Sequence, residues 1–333
     1  MKTTKLRFYT KHVLKNFIPD VLFRRKLDQE LANHELYEKD YIESRVSYYL
    51  KKAKHFSLPS SSKTGDIFTL KGNKSAYFYD LKEHIRYFPS HLKFSYIFGD
   101  VTYIPKQASF VKSRPISGNN HNSVLLKLDS VRHFQFVNDP YPFEAKMDKA
   151  IFRGCCHQQH RRAFLDHCFG IPNTDIGDTR RKAQDGPVYK NPIPIKDHFK
   201  YKFIISVEGN DVATNLKWIM NSNSLCFMTT PKFETWFMEG RLIPNYHYVL
   251  LKDDYSNLSE KMAYYSEHTQ EAKEIVKHAK RFAQQFQNRK RERYISLLVI
   301  KRYLEQANPW KKAMGTQTKT PSQKHQITET EMV

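Results

Sequence analysis

Between Lys202 and Ile219 the sequence KFIISVEGNDVATNLKWI sets a short apolar run against a Gly-polar turn and an amphipathic segment, predicting strand, tight turn and helix in immediate succession. An almost uninterrupted run such as Phe203, Ile204, Ile205 and Val207 suits a strand buried on both faces, which implies a parallel sheet covered by helices. Gly209 is expected to permit the reversal, and Asn210 or Asp211 to cap the helix. Asn221-Ser222-Asn223-Ser224 then breaks the pattern before Leu225-Cys226-Phe227-Met228, a second apolar run that completes a β-α-β unit. Free backbone N–H groups at such a turn suit a phosphate, and Lys217 reaches one only if it lies along the helix flank. One ordinary β-α-β repeat in an α/β core explains the same pattern.

A chain of 333 residues is long enough for two compact domains. Its mean hydropathy of -0.68 and the lack of any long uncharged apolar segment argue against a membrane span. The opening MKTTKLRFYTKHVLKNFI is basic, but charges recur within it and no small-residue cleavage site follows, so no signal peptide is expected. Cys155, Cys156, Cys168 and Cys226 lack metal-finger spacing and fit reduced thiols of a cytoplasmic protein. The net charge of +21, from 55 Lys and Arg against 34 Asp and Glu, favours polyanionic partners. Nucleic acid, an anionic membrane face, a nucleotide-sugar and a phosphorylated glycolipid all qualify, and so does a plain lysine-rich surface with no partner.

Along the chain, Asp28 to Lys54 reads as an amphipathic helix, Ser57 to Lys74 as loop, Tyr79 to Tyr87 as a short helix, and Lys93 to Phe98, Ser123 to Leu128 and Ala150 to Phe152 as strands. His160 to Phe169 looks helical, and Gly170 to Lys196, rich in Pro, Gly, Asp and Arg, reads as a connection between domains. Tyr246 to Leu251 is a further strand, and Asn257 to Gln306 forms one or two long helices with a break near His268-Thr269. The expected organisation is a helical region over 1–90, a Rossmann-like domain over 91–185, a second one with closing helices over 190–306, and a disordered tail over 308–333. Two such domains would face a cleft, with ligands at the carboxyl ends of the strands.

Several constellations could carry chemistry there. Asp100, after Phe98-Gly99, stands at a strand's carboxyl end where a carboxylate can take a proton from an attacking hydroxyl; an Asp after Gly is also a common turn residue. Lys112-Ser113-Arg114 puts two cations and a hydroxyl beside Pro115, as an acceptor or phosphate contact or as a solvated loop. Arg153-Gly154 precedes His157, His160, Arg161 and Arg162, and guanidinium groups at a helix start make a fork for a diphosphate. His157 and His160 have no third partner at ligand spacing, so zinc is not expected. Glu234 can accept hydrogen bonds from sugar hydroxyls while Trp236 stacks on a ring, unless Trp236 and Phe237 are core. Asp-x-Asp, Walker A and Gly-x-Ser-x-Gly motifs are absent, which favours a mechanism without metal.

With those residues in hand, the chain resembles glycosyltransferase family 90, in its bacterial lipopolysaccharide A branch, whose eukaryotic relatives are protein O-glucosyltransferases and capsule-associated xylosyltransferases. The resemblance runs from about Phe94 to Leu304 through GDVTYIPKQASFVKSRPI, DPYPFEAKMDKAIFRG with Arg161 downstream, KYKFIISVEGNDVATNLKWIMNSNSLCF and YHYVLLKDDYSNL. It implies a GT-B architecture of two Rossmann-like domains with a long C-terminal helix, a UDP-sugar donor, inversion at the anomeric carbon, and no cofactor or metal. Asp100 matches the family's catalytic aspartate. Arg153, Gly154, Arg161 and the segment with Gly209, Asn210, Asp211, Thr214, Asn215 and Lys217 match the elements that hold the donor. Eukaryotic relatives carry Arg at the positions of Glu208 and Asn215, which shifts neutralisation of the diphosphate toward Lys217 or Arg161. The acceptor implied is a hydroxyl of the lipid A-core oligosaccharide, reached from the cytoplasmic face of an anionic inner membrane, with glucose or galactose as the hexose. The competing expectation is a basic nucleic-acid-binding protein or nuclease, although no such motif is present.

Overall fold

The computed structural model of the chain describes residues 2–32, 36–51, 55–71 and 74–308. The amino-terminal part is mainly helical, with α1 (Lys2–Asn16), α2 (Asp20–Arg24), α3 (Leu27–Leu31), α4 (Lys39–Tyr49), a short strand β1 (Lys63–Thr64) and α5 (Ser75–Ile85). The one helix expected from Asp28 to Lys54 is therefore two. Next come β2 (Lys93–Phe94), β3 (Tyr96–Ile97), β4 (Ser109–Val111), β5 (Ser113–Pro115), β6 (Ser123–Leu125) and α6 (Ser130–His133). β3, β4 and β6 make a parallel sheet in that order, with Ile97, Val111 and Leu125 aligned at its carboxyl edge.

A larger parallel sheet follows, built from β7 (Met147–Gly154), α7 (Gln159–Cys168), β8 (Thr174–Asp178), α8 (Ile195–His198), β9 (Tyr201–Ile205), α9 (Leu216–Met220), β10 (Leu225–Met228), β11 (Phe233–Thr235) and β12 (Val249–Leu250). Its order is β12-β10-β9-β7-β8, with β11 set apart. Counted along the chain this is the doubly wound order 2-1-3-4-5, which opens a crevice where the winding reverses, between β7 and β9. The expected burial on both faces holds: Phe203 and Ile205 pack in one apolar cluster with Phe152, Leu225 and Phe227, while Ile204 packs in the other with Ile151 and Cys226.

Two expectations need correction. Gly170 to Lys196 contains β8, the edge strand of the large sheet, disguised in sequence because Thr174-Asp175-Ile176-Gly177-Asp178 is polar. The boundary expected between 185 and 190 therefore cuts a single sheet, whose first strand begins at Met147.

The chain closes with α10 (Leu258–Glu267), α11 (Thr269–Gln284) and α12 (Arg289–Ala307). The break at His268 is where periodicity placed it, and a second separates α11 from α12. α12 returns to the first sheet, where the Tyr303 hydroxyl donates to the Ala108 carbonyl at 2.8 Å and accepts from the Ser95 N–H at 3.0 Å. The tail expected to be disordered lies, beyond Asn308, outside the described residues.

Candidate active site

The strands of both sheets deliver their following residues to one place. Asp100 follows β3, Lys112 follows β4 and Asp129 follows β6, while Asn210 and Asp211 follow β9. Gly99 adopts φ of +123°, a conformation open to glycine and rare for other residues, and so turns Asp100 out of the strand direction. The Ser113 hydroxyl anchors this turn, accepting from the Val101 N–H at 3.1 Å and donating to its carbonyl at 3.3 Å.

The Lys112 ammonium, 2 % exposed, lies 2.6 Å from Asp100 Oδ1 and 2.7 Å from Asp211 Oδ2. Asn210 Nδ2 donates to Asp100 Oδ2 at 3.1 Å, and Arg132 stands 3.8 Å from the same carboxylate while pairing with Asp129 at 2.7 Å. Half-burial alone would raise the pKa of Asp100, but the Lys112 cation and its hydrogen bond, with Asn210 and Arg132, hold it below the usual carboxylate range. Burial outweighs Arg132 at Asp129 and raises that carboxyl. Buried His133 has no hydrogen-bond partner on either ring nitrogen, and burial together with nearby Lys217, Lys112 and Arg132 keeps it neutral. Asp129 and Arg132 escaped the sequence reading, although they follow a strand end just as Asp100 does.

The loop from Ser206 to Asn215 forms the facing wall. Helix α9 begins only at Leu216, so Asn210 and Asp211 do not cap it, and Gly209 has no positive φ. A Cβ at Gly209 would sit 3.6 Å from Arg161, an ordinary contact, so neither turn geometry nor crowding demands glycine there. Arg161 binds the loops directly: it donates to the carbonyls of Cys155 at 2.9 Å, Val207 at 2.6 Å and Glu208 at 2.7 Å, tying together the carboxyl ends of β7 and β9. Asn215 accepts from Ser206 Oγ at 3.0 Å, and Thr214 is exposed on the loop. Gly154 at the end of β7 accepts from the Thr179 N–H at 3.0 Å. A crevice lined by Ser206, Glu208, Val212, Leu216, Thr229 and Glu239 opens beside this loop.

Several expected ligand contacts are occupied inside the protein, buried Lys112 and Ser113 already among them. Lys217 is fully buried and donates to Glu239 at 2.5 Å. Arg153 binds Asp175 at 2.6 Å across β7 and β8. Arg114 and Glu234 face each other in the antiparallel pair of β5 and β11, bonded at 2.8 Å and both buried. Trp236 is core, stacked on Tyr49 with ring centroids 3.8 Å apart. An isolated sequence cannot reveal that these charges have partners distant along the chain.

Glu208 carries a different signal. Its carboxylate accepts from the N–H groups of Lys232 at 3.0 Å and Phe233 at 3.4 Å, yet burial pushes it up to about 7. With a folded pKa above the unfolded one, its contribution to stability is complete below the ordinary carboxylate range and is lost as pH rises through about 7. In Glu208→Gln that loss should vanish, leaving the variant on the order of 2 kcal/mol better placed relative to wild type at about pH 8 than at about pH 4. Urea unfolding at both values measures the difference, and an equal gap at the two would contradict the assignment.

Two parallel sheets whose carboxyl ends meet around a carboxylate held between cations define an α/β scaffold suited to a charged ligand. Residues 127–329 match the model of glycosyl transferase family 90. The chain belongs to that family and is a glycosyltransferase. It is 42% identical over 308 residues to O-glucosyltransferase LpsA of Dichelobacter nodosus, covering 92% of this chain and 96% of that one. Protein O-glucosyltransferase 2 of Danio rerio is 32% identical over 150 residues, 42% of this chain and 29% of its own length. Protein O-glucosyltransferase 3 of Homo sapiens is 32% identical over 110 residues, 33% of this chain and 21% of its own.

Proposed function

We propose that this glycosyltransferase moves a hexose from a UDP-sugar to a hydroxyl of a lipopolysaccharide or lipooligosaccharide core, inverting the anomeric centre without a metal, in a GT-B arrangement of the two sheets. The observation that carries the reading is the placement of Asp100, joined to Lys112 from its own sheet and to Asn210 from the other. The acceptor oxygen attacks the anomeric carbon as the bond to the UDP oxygen breaks, the bonding pair leaves with UDP, and Asp100 takes the acceptor proton. A carboxylate of lowered basicity suffices, because the hydroxyl becomes strongly acidic as its new bond forms.

The donor is assigned to the crevice beside Glu208, with Arg161 and Asn215 shaping the loop rather than meeting the diphosphate. Arg132, about half exposed next to Asp100, replaces Lys217 as the cation available to growing negative charge. The relative named an O-glucosyltransferase makes glucose the first hexose to test. UDP at saturation should raise Tm by several degrees through mass action. Among UDP-sugars, UDP-glucose should be hydrolysed fastest. No protection by UDP would remove the UDP-sugar donor from this reading, and a salt-sensitive shift of DNA or RNA would add a nucleic-acid partner to the enzyme. The expected cytoplasmic, membrane-peripheral location belongs to the same proposal; no described helix is long and apolar enough to cross a membrane.

A further inference from the structure

The first two helices turn apolar side chains outward. On α1, Leu6 (69 % exposed), Val13 and Leu14 (62 %) share one helical face, and Phe17 (81 %), Ile18, Val21 and Leu22 continue it around the turn into α2. The opposite face of α1 is the packed one: Phe8, Tyr9 and His12 all contact the Tyr79 ring. A helix that merely covered the core would need apolar residues only on that packed face, so the second apolar face, turned to water among exposed Lys5, Arg7 and Lys11, is surplus to core packing.

The corner is held in that orientation by internal bonds. Arg86 donates to the carbonyls of Lys15 at 3.0 Å and Ile18 at 2.6 Å and to the Asp20 carboxylate at 2.8 Å, and Lys82 reaches Asp20 at 2.5 Å. Its guanidinium also lies over the Phe23 ring, 3.7 Å from the centroid. Phe17 and Leu22 are thus presented by a braced turn. Residues 1–26 contain eight Lys and Arg against a single acid, Asp20, which is already neutralised by Lys82 and Arg86; of the eight, Lys11 and Lys15 pair with Glu83 on α5.

We propose that this α1–α2 corner docks on an anionic lipid bilayer, its apolar side chains entering the acyl boundary while the surrounding cations meet lipid phosphates. Charge decides between this occupant and a second copy of the chain, because two such cationic faces repel across a shared interface whereas anionic lipid complements one. α1 packs against α5 and α6, and α6 carries Arg132 beside Asp100, so docking would bring the candidate acceptor side near the lipid. Bilayer binding stands on the patch alone; its service to a lipid-linked acceptor rests on the reading above.

Co-sedimentation of the full chain with vesicles of phosphatidylcholine, with and without phosphatidylglycerol, tests the proposal. Binding should be at least about tenfold tighter with phosphatidylglycerol and should weaken with added salt, as expected for about fivefold per engaged cation. The triple variant Leu14→Ser/Phe17→Ser/Leu22→Ser should lose at least about tenfold in vesicle affinity. Its unfolding temperature and its hydrolysis of UDP-sugar should match wild type, because Leu14 and Phe17 are mostly exposed, Leu22 is about half exposed, and none of the three belongs to the buried core. No binding by wild type, equal binding to neutral vesicles, or full binding by the variant would overturn the proposal. So would a wild-type dimer in light scattering that the variant dissolves without any change in vesicle binding. Vesicle binding without UDP-sugar turnover would preserve the docking and sink the UDP-sugar donor instead.

Discussion

Asp100→Asn should lower turnover about 10²–10⁴-fold while leaving UDP protection against unfolding intact, because the amide keeps the side chain's size but cannot take the acceptor proton. Steady-state kinetics with UDP-glucose and a core-oligosaccharide acceptor measure the first part, and thermal shift the second. A variant within about threefold of wild type would remove Asp100 from the chemistry. The companion substitution Lys112→Met separates proton transfer from mere positioning. The base works only when ionised, so kcat/KM falls as pH drops through its pKa. With Lys112 present that acidic limb lies below the ordinary carboxylate range; without the cation, burial prevails and the limb should move to higher pH. An acidic limb that stays in place would show that Asp100 is not the titrating base.

Arg114→Met should cost about 3–5 kcal/mol of folding stability, read as a drop in the urea midpoint. Its guanidinium donates to Glu234 at 2.8 Å and to the carbonyls of Tyr48 at 2.8 Å and Ser123 at 3.0 Å, so the substitution strands a buried carboxylate and two carbonyls at once. Little room exists for water to compensate: Glu234 also accepts a very short bond from the Tyr48 hydroxyl, and a Cβ on Gly240 would lie 2.8 Å from its Oε2. Arg114→Met/Glu234→Met should recover much of the loss, since removing both partners leaves no unpaired charge. If Arg114→Met instead raised KM for the acceptor with stability unchanged, the pair would be a binding element and its burial misleading.

Local patterns announced the parts of the fold in which neighbours along the chain decide the outcome. The apolar run around Phe203–Ile205 became a strand covered on both faces, and the break at His268 fell where helical periodicity failed. Edge strand β8 stayed hidden because an edge has one neighbour and tolerates polar residues, so Thr174–Asp178 looked like loop. The outward apolar face of α1 was equally hard to read, since periodicity reveals that a stripe exists but not which way it faces.

The sequence by itself determined the α/β class, the family, the cationic balance and the candidacy of Asp100, because each resides in short motifs or in composition. Tertiary structure alone decided which charges are available to a ligand. Arg114 and Glu234 lie 120 residues apart, Lys217 and Glu239 22 apart, and each pair is consumed internally, whereas Asn210 crosses 110 residues to meet Asp100. The physical reason is that a charged side chain's role depends on what solvates it once folded, and its partners are set by the packing of two sheets that local sequence does not encode.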